Sequence, residues 1–151
     1  MIGTPTGSAR TADRRVLGSH ALLVALEREP GWERVRAVLR HGEPWTTLVN
    51  LGEVVYIVER NSGTAVADAV FADLLADERP DGSRPTQFVP IDRGLVRSAA
   101  SLKAAGGLSY ADAFAAAAAR RMDCPVLTGD LELRAAEWAG VQFECLSDGQ
   151  P

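Results

Sequence analysis

Short apolar segments recur along this chain, and each is divided from the next by stretches of helical periodicity. Arg15-Val16-Leu17, Gln87-Phe88-Val89-Pro90-Ile91, Pro125-Val126-Leu127-Thr128 and Val141 to Leu146 read as strands. A strand followed by a helix and then another strand returns the chain in the same direction. Such strands pair in parallel and need helices on both faces of the sheet. The expected fold class is therefore α/β. Ligands in such sheets bind beyond the C-terminal ends of the strands, so that edge is where chemistry is expected.

The helical stretches carry their own punctuation. Ser19 is a suitable N-cap for a helix through Ala21 to Leu26, which Pro30-Gly31 breaks. Val35, Val38 and Leu39 mark a second helix, and Pro44 separates it from a third. Thr46 or Thr47 caps that third helix, from Leu48 to about Arg60, and Asn61-Ser62-Gly63 ends it. Thr64 to Asp77 reads as an amphipathic helix, and Glu78 to Pro85 as a loop. Asp92 caps a helix through Leu95, Ala99 and Leu102 that stops at Gly106-Gly107. Ser109 starts an alanine-rich helix to about Met122, and Asp130 opens a last one.

The chain has 151 residues, enough for one domain. Residues 1–13 are expected to form a loose polar tail and residues 14–148 the domain. No apolar run is long enough to cross a bilayer, and the N-terminus lacks the apolar stretch of a secretion signal, so a cytoplasmic protein is expected. The net charge of -4 argues against an open nucleic-acid coat, though not against an enzyme that grips RNA locally and briefly. Cys124 and Cys145 show no CxxC spacing; they read as small buried hydrophobes.

Three carboxylates stand where chemistry is expected, or in helices that can fold toward it. Asp130 follows the Val126-Leu127-Thr128 strand through Gly129. It is either a plain helix cap or a ligand at the sheet edge. Asp112 lies in Ser109-Tyr110-Ala111-Asp112, and Ser-x-x-Asp is close to a capping box, so a cap competes with any chemical role. Glu53 has Val49, Tyr56 and Ile57 as helical neighbours, in a helix apolar nearly all round. Such a helix should be buried, and a buried carboxylate needs a cation or a hydrogen-bond network. Carboxylates drawn together call for a hard divalent ion with oxygen ligands, Mg²⁺ or Mn²⁺. Residues and spacing lead this far: metal-dependent phosphoryl chemistry.

Four stretches carry a resemblance. Val16-Leu17-Gly18-Ser19-His20-Ala21-Leu22-Leu23, Asn50-Leu51-Gly52-Glu53-Val54, Leu108-Ser109-Tyr110-Ala111-Asp112-Ala113 and Val126-Leu127-Thr128-Gly129-Asp130 resemble, in order, the four acidic motifs of PIN-domain ribonucleases, in the subgroup of VapC-type toxins. The resemblance spans roughly residues 14–146. It implies a three-layer α/β/α fold with a central parallel sheet of four to five strands. It implies a Mg²⁺- or Mn²⁺-dependent endoribonuclease acting on tRNA or other structured RNA, a homodimer, and a VapB-like antitoxin partner. Glu53, Asp112 and Asp130 match three of the family's acidic positions. The first motif departs from the pattern: Gly18 stands where the family carries Asp, so one anionic metal ligand is missing and weakened cleavage is expected. A non-catalytic module that binds antitoxin or RNA is the alternative.

His20 lies just past the first strand; a local hydrogen bond explains it as well as a place in the site. Arg93, Arg97, Arg120 and Arg121 are candidates for phosphate contacts, against the plainer reading of solvated charges. Trp32, Trp45 and Trp138 read as packing residues.

Overall fold

The computed structural model describes residues 13–83, 85–129 and 139–146. They form β1 (Arg14–Leu17), α1 (Ser19–Glu27), α2 (Trp32–His41), β2 (Glu43–Thr46), α3 (Leu48–Ser62), α4 (Thr64–Leu75), β3 (Gln87–Phe88), α5 (Arg93–Ala104), α6 (Tyr110–Met122), β4 (Val126–Thr128) and β5 (Phe143–Cys145). The strands make one parallel sheet in the order β3-β2-β1-β4-β5. This is the α/β class expected, with the first strand at the centre.

The pleat sorts the core into two layers. In the register Val16↔Val126 and Leu17↔Leu127, successive side chains point to opposite faces. Val16 and Val126 pack with Val89, Leu95, Leu102 and Phe114, under α5 and α6. Leu17 and Leu127 pack with Leu22, Val24, Val35, Val38, Leu51 and Val54, under α1, α2 and α3. All four sheet residues are fully buried. Each such side chain contributes on the order of 1.5–3 kcal/mol through burial. The alanine run of α6, Ala115 to Ala119, is also buried, because small side chains let this helix lie close against the sheet.

Several local expectations hold. Thr47 caps α3 by accepting from the Asn50 N–H, Asp92 caps α5 from Leu95, and Ser109 caps α6 from Asp112. Gly106 and Gly107 adopt positive φ, +94° and +87°, where the chain leaves α5. Lys103 Nζ then donates to the Leu108 carbonyl at 2.8 Å and closes that turn.

Others are corrected. β2 was not anticipated: Glu43-Pro44-Trp45-Thr46 is too short and too mixed to show periodicity, yet it pairs with both β1 and β3. The strand expected over Gln87–Ile91 contributes only Gln87 and Phe88 to the sheet. Ser19 is the first residue of α1 rather than its cap; Gly18 takes the cap position and offers no side-chain bond. The helix expected to open at Asp130 lies outside the described residues, as do Trp138 and residues 1–12. Among the described residues no helix is long and apolar enough to cross a membrane.

One edge of the sheet is pinned by charge. Arg34 of α2 donates to Glu144 of β5 at 2.6 Å and to Asp13 at 2.8 Å, and Arg15 of β1 donates to the same Glu144 at 2.9 Å. Arg34's hydrogen bonds, with Arg15 assisting, hold the Glu144 carboxyl below its usual range against the opposing effect of burial.

Candidate active site

The C-terminal ends of β2, β1 and β4 lie side by side, and the motif residues follow from them. β1 leads straight into Gly18, whose N–H donates to the Leu127 carbonyl of β4 at 3.2 Å. β4 ends at Thr128 and leads into Gly129 on the other side of that contact. β2 leads through Thr47 into α3, which carries Glu53. The N-termini of α1 and α3 therefore point at one edge of the sheet, where helix dipoles favour negative charge.

Glu53 and Asp112 are both half-buried. The expectation that Glu53 sits in a wholly buried helix is corrected. Leu48, Gly52, Tyr56 and Arg60 form an exposed stripe along α3, with Leu48 and Tyr56 each 53% exposed. An all-apolar helix face cannot by itself tell core from uncovered surface. Asp112 occupies the first turn of α6, one residue after Ala111. Its backbone N–H donates to Ser109 Oγ at 3.1 Å, which closes the capping turn of α6. Asp130 lies outside the described residues. Among the described residues no three His, Cys, Asp or Glu side chains gather tightly enough to hold a metal ion. Gly18 contributes no carboxylate to such a group.

Gly18 is not required by the backbone. Its φ of -72° is open to any residue, and an added Cβ would meet only ordinary contacts, the Leu127 carbonyl at 3.7 Å and Val126 Cγ1 at 3.8 Å. A Cβ therefore fits there without displacing any described neighbour. His20 is exposed, and its imidazole lies over Gly129, so close that a Cβ there would stand 2.3 Å from Nδ1. The ring thus borders the turn that leads into Asp130.

A buried polar knot underlies this edge, and the sequence reading missed it. Asn50 Nδ2 donates to Ser19 Oγ and to the Ala111 carbonyl, both at 3.0 Å. Thr47 Oγ1 donates to Asn50 Oδ1 at 2.6 Å. Ser19 Oγ donates to the Asn50 carbonyl at 3.3 Å, and Thr46 Oγ1 to the Leu17 carbonyl at 2.8 Å. The available signal was an asparagine between Val49 and Leu51 in an apolar helix. The candidate arginines are largely engaged elsewhere. Arg121 grips Asp92 through both oxygens, Arg120 bonds Ser98 and the Ala139 carbonyl, and Arg97 bonds Ser101. Cys124 and Cys145 are buried and form no disulfide, and burial pushes the Cys124 thiol up to about 11.

A parallel sheet with helices on both faces, whose central strands end beside helix N-termini, defines an α/β domain that binds ligands at that edge. The PIN domain model matches residues 16–139, and the chain belongs to that family. No curated protein sequence matches it. Solved structures sharing its fold include VapBC2 from Rickettsia felis bound to a promoter DNA fragment, with TM-score 0.65 and 11% identity over 87% of this chain and 98% of that one. The sarcin-ricin loop cleaving toxin VapC20 of Mycobacterium tuberculosis has TM-score 0.64 and 16% identity over 80% and 93%. VapBC-1 of Haemophilus influenzae has TM-score 0.64 and 10% identity over 89% and 99%.

Proposed function

We propose that this chain is an endoribonuclease toxin of a toxin–antitoxin pair, dependent on Mg²⁺ or Mn²⁺ and weakened by Gly18. Membership of the PIN-domain family supports the nuclease reading. The structural likeness to toxin–antitoxin proteins supports the toxin reading and a VapB-like antitoxin partner in the cytoplasm. Glu53, Asp112 and Asp130 are the residues proposed to hold the cation. A divalent ion bound there would polarise an RNA phosphodiester and lower the pKa of water for in-line attack. The carboxylates orient that water and accept its proton, and the cleaved strand keeps a 5′-phosphate. Structured RNA such as tRNA is the proposed substrate class, and a homodimer the proposed working form.

The observation that carries the reading is the vacancy at Gly18. It lies at the end of the central strand, at a helix N-cap, where a Cβ meets only ordinary contacts and the backbone does not need glycine. An aspartate there would cap α1 and supply the missing anion at once. The same vacancy favours a second reading, a module that has lost cleavage and keeps antitoxin or RNA binding.

RNA cleavage by Gly18→Asp, measured beside the present chain with millimolar Mn²⁺, tests both. The nuclease reading expects the variant to cut at least tenfold faster, since losing a metal ligand or its support costs roughly 10–100-fold. Equal, negligible cutting by both refutes it. Negligible cutting by both with retained RNA binding instead supports the module.

A further inference from the structure

We infer that Asn50 is the positioning residue of this site: one side-chain amide sets the spacing of the segments that carry Gly18, Glu53 and Asp112. The inference rests on the reading of these positions as a cation pocket. Asn50 has no exposed surface. A buried amide is costly unless its donors and acceptor are paired. Here they are, to Ser19, Ala111 and Thr47. The Ala111 carbonyl can only accept, which fixes the nitrogen end of the amide.

The partners are placed to matter. Ser19 follows Gly18 directly, Ala111 precedes Asp112 directly, and Asn50 stands one turn before Glu53 on α3. The bonds to Ser19 and Ala111 therefore each anchor the residue next to a proposed ligand position, and the amide that makes them sits one turn from Glu53. Holding the helices together does not need this. Thr47 already caps α3 through the Asn50 backbone N–H at 3.1 Å. Ala111 lies inside α6, where its carbonyl has a helical N–H partner from the following turn. The amide adds a second bond to a satisfied carbonyl, across the contact between α3 and α6. Apolar side chains would pack these helices equally well, but without a fixed register. A shift of about 1 Å among ligands is enough to cost metal affinity or rate.

The experiment measures Mn²⁺ affinity by the electron paramagnetic resonance of free Mn²⁺, on the full chain carrying Gly18→Asp. Asn50→Leu and, separately, Leu102→Ala are added to that background. Leu102 is a buried residue of α5, in the layer on the other face of the sheet. Circular dichroism confirms that each variant is folded at the working temperature. Asn50→Leu is expected to weaken Mn²⁺ binding about 10–100-fold, whereas Leu102→Ala, also destabilising, leaves it within about twofold. Undiminished Mn²⁺ affinity in folded Asn50→Leu, or an equal loss in both variants, overturns the inference. Should Asn50→Leu fail to fold, Ser19→Ala removes a single partner of the amide. A several-fold loss of affinity supports the inference, and an unchanged value overturns it. Absence of Mn²⁺ binding in Gly18→Asp itself overturns the cation-pocket reading, and this inference with it.

Discussion

At the scale of single residues, the site edge is sensitive to small additions of volume. Gly18 accepts a side chain freely, so Gly18→Asp should leave stability without metal within about 1 kcal/mol. A better cap and a stiffer unfolded chain stabilise by tenths of a kcal/mol, and a new like charge opposes them. Thermal unfolding with and without Mn²⁺ checks this; a large metal-free loss would mean that the vacancy is not open. Gly129 behaves in the opposite way. A Cβ there meets the His20 ring at 2.3–2.5 Å. His20 is exposed and its ring can swing aside, so Gly129→Ala should cost no more than about 1 kcal/mol. Adding His20→Ala should recover most of that cost, and a double-mutant cycle by urea unfolding measures it. Strict additivity of the two substitutions would refute the contact. Asp92 is held down to about 2, first by the Arg121 guanidinium and next by the Leu95 N–H. In Arg121→Gln its carboxyl should titrate closer to the ordinary 3.8, as read by NMR. An unmoved Asp92 would show that the helix cap alone sets it.

At the scale of elements, the ion network joining Arg34, Glu144, Asp13 and Arg15 ties α2 to both β1 and β5. These side chains are about a third exposed or less. Solvent screening therefore limits Arg34→Met to a cost of roughly 1–2 kcal/mol at pH 7. Glu144 is depressed below its ordinary value of 4.5, so it binds fewer protons folded than unfolded. Its contribution is fully present above pH 4.5 and fades as the pH falls through the lower folded value. The gap between wild type and Arg34→Met should accordingly narrow in acid, and chemical denaturation at several pH values measures it. A gap independent of pH would sink the electrostatic account. The helices themselves were largely legible. Caps at Thr47, Asp92 and Ser109 are written in local chemistry, because each bonds an N–H only three residues away. β2 was not legible: four residues with a proline carry no period, and only its neighbours β1 and β3 make it a strand.

At the scale of the whole molecule, the α3–α4 surface is one uncovered apolar face among the described residues. Leu48, Tyr56, Val66, Phe71 and Leu75 are 40–53% exposed, and Tyr56 and Phe71 line a shared groove with Val55 and Arg60. Scattered exposed apolar residues are ordinary, but a contiguous set marks a surface that associates. Phe71→Glu should change the unfolding free energy of the isolated chain by no more than about 0.5 kcal/mol. It should also reduce any concentration-dependent association seen by analytical ultracentrifugation. A loss well above 1 kcal/mol would mean that Phe71 is covered in the folded protein.

The order of the elements other than β2, the parallel pairing and the places of Glu53, Asp112 and Gly18 in the chain were determined by sequence alone. Periodicity, caps and turn residues act within a few residues of themselves, and so can be read locally. Tertiary structure alone decided that Asn50 joins α1, α3 and α6, that α3 leaves Tyr56 in solvent, and that a Cβ at Gly18 would meet only ordinary contacts. Each of those facts depends on what lies across the sheet or on a helix tens of residues away, and no local pattern encodes the far partner.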